Sequence, residues 1–218
     1  EAALLGFSNA LAQLQASVGN RHPLAIELKR RMCALERVAG QPVIAERDCH
    51  DALTLALARH GPEHPSSVDA RRELAAIHVD LGRFREADIA FRESHRWMVA
   101  RLGRQHVDVA RNDGSLGIVA WELGDIDGAL RYLDRALAVL RKDPKLPLYQ
   151  GVLFNKAMVL HDVGRDQAAL PLLLQVERLR IATFGEGDER VGDTKRLLGE
   201  VQAALGQDET ARQNLVDT

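Results

Sequence analysis

The chain is poor in aromatic residues: five Phe, two Tyr and two Trp among 218 residues, or 4%. Sheets draw heavily on aromatic and β-branched side chains, so this scarcity, beside abundant Ala and Leu, favours helices. Two cysteines, Cys33 and Cys49, are too few for a disulfide framework. They read either as two small core residues or as a single bridge in an oxidising compartment. Lysine is scarce, five against 24 arginines, and the formal net charge is only −2. Near-neutrality gives no electrostatic basis for holding nucleic acid or inserting at an anionic membrane. The arginine excess points to a GC-rich bacterial genome. No apolar run approaches the roughly twenty residues that span a bilayer. No basic stretch followed by an apolar one marks a signal peptide. The chain opens at Glu1 rather than Met, which suggests a piece of something longer.

What the sequence does have is a period. Glycines stand at 40, 82, 124, 164 and 206, spaced by 42, 42, 40 and 42 residues. Five residues after each is an alanine: Ala45, Ala87, Ala129, Ala169 and Ala211. Seven before each is a small residue: Cys33, Ala75, Gly117, Ala157 and Gly199. Nine after each is an apolar residue or Cys: Cys49, Phe91, Leu133, Leu173 and Leu215. A second series, Gly19, Gly61 and Gly103, precedes His22-Pro23, His64-Pro65 and His106-Val107. The 40-residue step is charged to the segment Asp143-Pro144-Lys145-Leu146-Pro147.

Each position has a physical reading. A glycine past a helix end takes the left-handed conformation that closes the helix. Small residues on either side of it let two antiparallel helices approach closely. The larger residue nine later fills the groove between pairs. One such pair cannot bury its apolar face alone, but stacked neighbours share a continuous core. The expected fold class is all-α, a right-handed α-solenoid of antiparallel helix pairs. Its full repeats are expected at 19–60, 61–102, 103–142 and 143–184. A trailing helix at 1–18, with Ala3, Phe7 and Ala10 at second-helix positions, and a truncated repeat at 185–218 are expected to flank them. Pro42 falls near the first turn of its helix, where proline is tolerated. Pro171 falls inside a second helix, where a kink or a late start is expected.

The small residue, turn glycine and alanine resemble the tetratricopeptide repeat, whose usual period is about 34 residues. At 42, with Gly61-Pro62-Glu63-His64-Pro65 opening a unit and Leu81-Gly82-Arg83-Phe84-Arg85-Glu86-Ala87 at its turn, the pattern looks like the kinesin light chain subtype. The resemblance implies a tetratricopeptide-like superhelix that binds a protein or peptide partner. It further implies a place in a larger bacterial signalling or regulatory protein, such as the sensory part of a receptor kinase. That setting would be cytoplasmic, or periplasmic in a membrane-anchored receptor. The alternative is a structural module that self-associates through its ends, as a homodimer or larger assembly.

In that family the first helix of each pair lines the concave face. Positions three, six, ten and thirteen before each turn glycine are then the candidate surface. Ile118, Trp121, Phe154, Met158 and His161 make an apolar cluster there, with Arg72 and Arg111 as a basic rim. Trp and Arg commonly anchor interfaces, so the expected ligand is a peptide with a large apolar residue near an acidic one. Gly114 and Gly117 are expected to leave space beside Trp121. Kinesin light chains hold cargo peptides partly through asparagines nine before the turn glycine. Here that column reads Arg31, Glu73, Ser115, Asn155 and Leu197, and only Asn155 matches. No phosphate loop, dinucleotide fingerprint or nucleophile elbow is present, so no enzyme, catalytic residue or cofactor is expected. His22, His64 and His106 recur with the repeat and read as loop architecture rather than metal ligands.

Overall fold

The computed structural model describes residues 22–207 throughout, and beyond them only residues 6, 9, 10, 12–14, 16, 17, 19, 210, 211 and 214. Those residues are all-α, with no strand among them. Nine helices are bounded in full: α1 Pro23–Val38, α2 Pro42–His60, α3 Pro65–Asp80, α4 Phe84–Leu102, α5 Val107–Glu122, α6 Ile126–Leu140, α7 Pro147–Asp162, α8 Asp166–Phe184 and α9 Glu189–Ala204. Ala3, Phe7, Leu215 and Thr218, the positions behind the two incomplete end repeats, lie outside the described residues.

The turn glycines do the work assigned to them. Gly40, Gly82, Gly124, Gly164 and Gly206 all have φ between 70° and 81°. Each donates to the carbonyl three residues back, and the following residue donates to the carbonyl five back, as in Gly124 N to Trp121 O and Asp125 N to Ala120 O, both 2.8 Å. This doubly bonded stop satisfies the last carbonyls of a first helix and sends the chain straight into its partner. The second series has the same sign: Gly61 and Gly103 have φ 79° and 80°. Gly185, φ 88°, belongs to it too and was legible, since it follows Gly103 by 42 plus 40 residues.

The loop histidines are N-caps. The Nδ1 atoms of His22, His64 and His106 accept from the backbone N–H two residues on, at 3.3, 3.2 and 3.1 Å. Asp188 does the same for Arg190 N at 3.0 Å. Each cap satisfies one donor that the first turn leaves orphaned. The 40-residue step also finds its cause. Helix α6 has 15 residues where α2, α4 and α8 have 19, and the loop after it, 141–146, is two residues longer than 61–64.

Pro42 opens α2 as its first residue. At Pro171 the helix does not start late: α8 begins at Asp166 and runs through the proline to Phe184. Pro171 is exposed, and the packing of Ala169, Leu173 and Val176 on the opposite face, all 0% exposed, holds the helix together.

The chain forms two compact units, residues 1–101 and 102–218. In the first, α1 packs on α2 and α2 on α3, while α1 and α3 lie side by side. The Arg71–Glu93 ion pair, 3.4 Å, and the polar contact of His78 with Glu86, 4.0 Å, join α3 to α4. In the second, α5 and α6, α6 and α7, α7 and α8, and α8 and α9 pack in succession, with α5, α7 and α9 adjacent as first helices. The small positions lie at the contacts: Cys33, Ala45, Ala75, Ala87, Ala129, Ala157 and Ala169 are all 0% exposed. Cys33 and Cys49 are bonded to each other as a disulfide between α1 and α2.

Candidate interaction face

The first-helix face is best formed in the second unit, on α5, α7 and α9. Ile118 and Trp121 on α5, and Phe154, Asn155, Met158 and His161 on α7, are all half-buried. Their spacings of three and four keep each set on one stripe of its helix. Trp121 and Phe154 pack against one core cluster that includes Leu133, Leu153 and Val159. Phe154 and Met158 pack against a second that includes Leu160, Leu173 and Leu198.

Several of these side chains are already engaged. Trp121 Nε1 donates to Asp162 Oδ2 at 2.9 Å, tying α5 to the end of α7. The first unit has the same tie at the same repeat positions, Arg37 to Asp80 at 3.2 Å. Residue three before one turn glycine thus reaches the aspartate two before the next. His161 Nδ1 pairs with Asp166 Oδ1 at the start of α8. Asn155, by contrast, has no side-chain hydrogen bond among the described residues, and its amide keeps both donor and acceptor capacity.

The two arginines expected as a basic rim lie in different units, each with an acidic neighbour on its own helix. Arg72 belongs to the first unit, where it pairs with Asp69 at 3.5 Å. Arg111 is exposed and pairs with Asp108 at 3.8 Å. Gly114 and Gly117 do not leave the open space expected of them. A Cβ on Gly114 would lie 3.1 Å from Val152, and one on Gly117 would lie 2.7 Å from Leu133. Both glycines let neighbouring helices close, so they serve packing rather than a pocket.

The cation beside the aromatic is one that sequence reasoning missed. Arg180, on α8 and 7% exposed, stacks its guanidinium 4.4 Å from the Phe154 ring centroid. Its Nη1 donates to Arg190 O at 2.7 Å and Thr194 Oγ1 at 2.8 Å. Burial lowers its pKa from the ordinary arginine value, against the opposing pull of Asp193. The signal was a polar residue in an apolar column: sixteen after the turn glycine the other repeats carry Ala56, Met98 and Leu140. Nearby, Asp188 accepts both Arg190 Nε, 2.7 Å, and Nη2, 2.8 Å. That bidentate pair brings the Asp188 carboxyl down to about 2.

In the first unit, the α1 and α3 faces carry several charged side chains. Arg30 pairs with Glu27 at 2.8 Å and reaches Glu73 at 3.6 Å. His78, half-buried near Glu46, Glu86 and Arg83, has its pKa lowered chiefly by desolvation. No group of three or more His, Cys, Asp or Glu side chains able to hold a metal occurs among the described residues. None of their helices is long and apolar enough to cross a membrane.

Comparison with known proteins agrees with this architecture. Residues 72–142 match the family model of the tetratricopeptide repeat. The nearly identical kinesin light chain repeats of Podosopora anserina superpose with a TM-score of 0.72 at 20% identity, over 90% of this chain and 94% of that one. BtubC from P. vanneervenii superposes with a TM-score of 0.77 at 17% identity, over 99% and 86%. YrrB, described as a tetratricopeptide repeat protein with an unusual peptide-binding site, gives 0.52 at 18%, over 97% and 89%. Among curated sequences, a clustered mitochondria protein homolog of Culex quinquefasciatus is 26% identical over 171 residues. That match covers 77% of this chain, which spans only 12% of the relative's length.

Proposed function

We propose that this tetratricopeptide repeat chain is a protein–protein interaction module, and that the first-helix face of α5 and α7 receives an extended segment of a partner protein. The observation that carries the reading is Asn155: a half-buried residue whose amide has no hydrogen-bond partner among the described residues, flanked on α7 by the apolar residues Phe154 and Met158. A free side-chain amide offers one acceptor and two donors, which match the N–H and C=O of a peptide backbone. Ile118 and Met158 supply apolar contact, and methionine adapts to varied partner side chains. The peptide-binding site named for YrrB supports the same use of the fold.

The finer part of the proposal concerns setting. The module would act as the sensory or regulatory part of a larger bacterial signalling protein, recruiting a partner rather than catalysing a reaction. A contiguous kinase or regulator domain in the gene would support this, and a gene ending at these repeats would count against it.

Selection of a random peptide display library against the whole chain tests the groove. Asn155→Ala is expected to weaken the selected peptides about tenfold, the worth of one or two hydrogen bonds, with an unchanged melting temperature. Met158→Glu is expected to abolish binding. Equal affinity for wild type and both variants would sink the reading. Trp121→Ala is a poor probe, because Trp121 also holds Asp162 and the core.

A further inference from the structure

The bridge between Cys33 and Cys49 goes beyond this reading and concerns the other unit. The two residues occupy the contact seven before and nine after the turn glycine. Elsewhere that contact is filled by one small and one large side chain: Ala75 with Phe91, Gly117 with Leu133, Ala157 with Leu173. The fit is tight, since a Cβ on Gly117 would come within 2.7 Å of Leu133. In the first pair neither partner is large. Two separate thiols supply less apolar volume than Ala with Phe or Leu, and an underfilled core contact costs stability. A covalent bond takes the place of the missing side chain, at a Cα–Cα distance of 5.3 Å.

The other apolar holds on this helix pair are mostly small: Ala25, Ala45, Ala52 and Ala56 are buried, with Ile26 the one large apolar side chain that α1 buries fully. In the cluster around the bridge the fully buried members are Cys33, Ala45, Cys49 and Ile77, with Leu74 and Leu81 packed against them. Besides the contacts of that cluster, α1 is linked to α3 by partly exposed ion pairs, Arg30–Glu73 at 3.6 Å and Arg37–Asp80 at 3.2 Å, and such pairs hold little by themselves.

We propose that the Cys33–Cys49 bridge is a redox-controlled staple: the α1–α2 pair is firm when it is closed and loosens when a dithiol opens it. The exchange balances. The dithiol gives up two electrons and two protons and closes into its own disulfide, as the Cys33–Cys49 bond breaks and two thiols form. Both sulfurs belong to residues at 0% exposure, so reduction proceeds through local opening of the pair. Once reduced, the α1–α2 pair opens more readily, and the first-helix face that α1 shares with α3 loosens with it.

Hydrogen exchange on the whole chain, followed by mass spectrometry with and without dithiothreitol, tests this. Amides of α1 and α2 are expected to exchange roughly a hundredfold faster once reduced, the factor expected for opening a loop of about this length. Amides of α7 and α8 are expected to be unchanged. The double variant Cys33→Ala/Cys49→Leu, which installs the small–large pair of the other repeats, is expected to be protected in both conditions. Alkylation of both cysteines in protein never exposed to reductant would overturn the proposal, as would equal protection of α1 and α2 in the two states. A double variant that fails to fold would overturn the packing premise. Peptide selection on α5 and α7 is a separate readout, so the two proposals fail independently.

Discussion

Glycines of identical composition have opposite roles in this chain. Gly117 is closed in by Leu133, with a would-be Cβ at 2.7 Å, whereas nothing lies within 4 Å of one on Gly151. Both sit inside first helices, where glycine costs about 1 kcal/mol relative to alanine. Gly151→Ala is therefore expected to stabilise by about 0.5–1 kcal/mol. Gly117→Ala is expected to destabilise by roughly 1–2 kcal/mol net, because the overpacking cost exceeds the helix gain. Chemical denaturation of the two variants measures both, and a stabilising Gly117→Ala would contradict the close approach of α5 and α6. Of the candidate interface residues, Ile118, Asn155 and Met158 remain available, while Trp121 and His161 are tied to Asp162 and Asp166. That distinction was not legible in sequence, because it depends on which carboxylate the next helix delivers.

Helix ends were the most readable feature at the scale of elements. A turn glycine, an N-capping His or Asp and a proline in the first turn each act through their own backbone, so their meaning survives without tertiary context. Pro171 did not, because packing on the far side of α8 overrides a local breaker. The helix still lacks the N–H that would reach Gln167 O and carries the ring's clash with that turn. Pro171→Ala is expected to raise stability by about 2 kcal/mol, read as a higher urea midpoint. A loss instead would mean that the proline shapes α8 for packing. The short α6 shows the same limit: the 40-residue step was visible, but the division into a helix four residues shorter and a loop two residues longer was not.

Charge at the scale of the whole molecule is nearly balanced. The formal net charge is −2, and many cations on both units are paired, among them Lys29 with Asp51, Arg92 with Asp88, Arg135 with Asp113 and Arg196 with Glu200. Non-specific nucleic-acid binding needs clustered free cations that release counterions. A fluorescent random 30-mer oligonucleotide is therefore expected to show no anisotropy change at 0.15 M salt, up to about 100 μM protein. Salt-sensitive binding tighter than about 10 μM would contradict this. The sequence by itself determined the helix-pair architecture, since the spacing of turn glycines and small residues dictates where two backbones can touch and reverse. Tertiary structure alone decided how that architecture is used. It closed the space expected at Gly114 and Gly117, brought Arg180 against Phe154 and joined Cys33 to Cys49. These contacts depend on distances between side chains of different helices, and a one-dimensional period carries no distance across the stack.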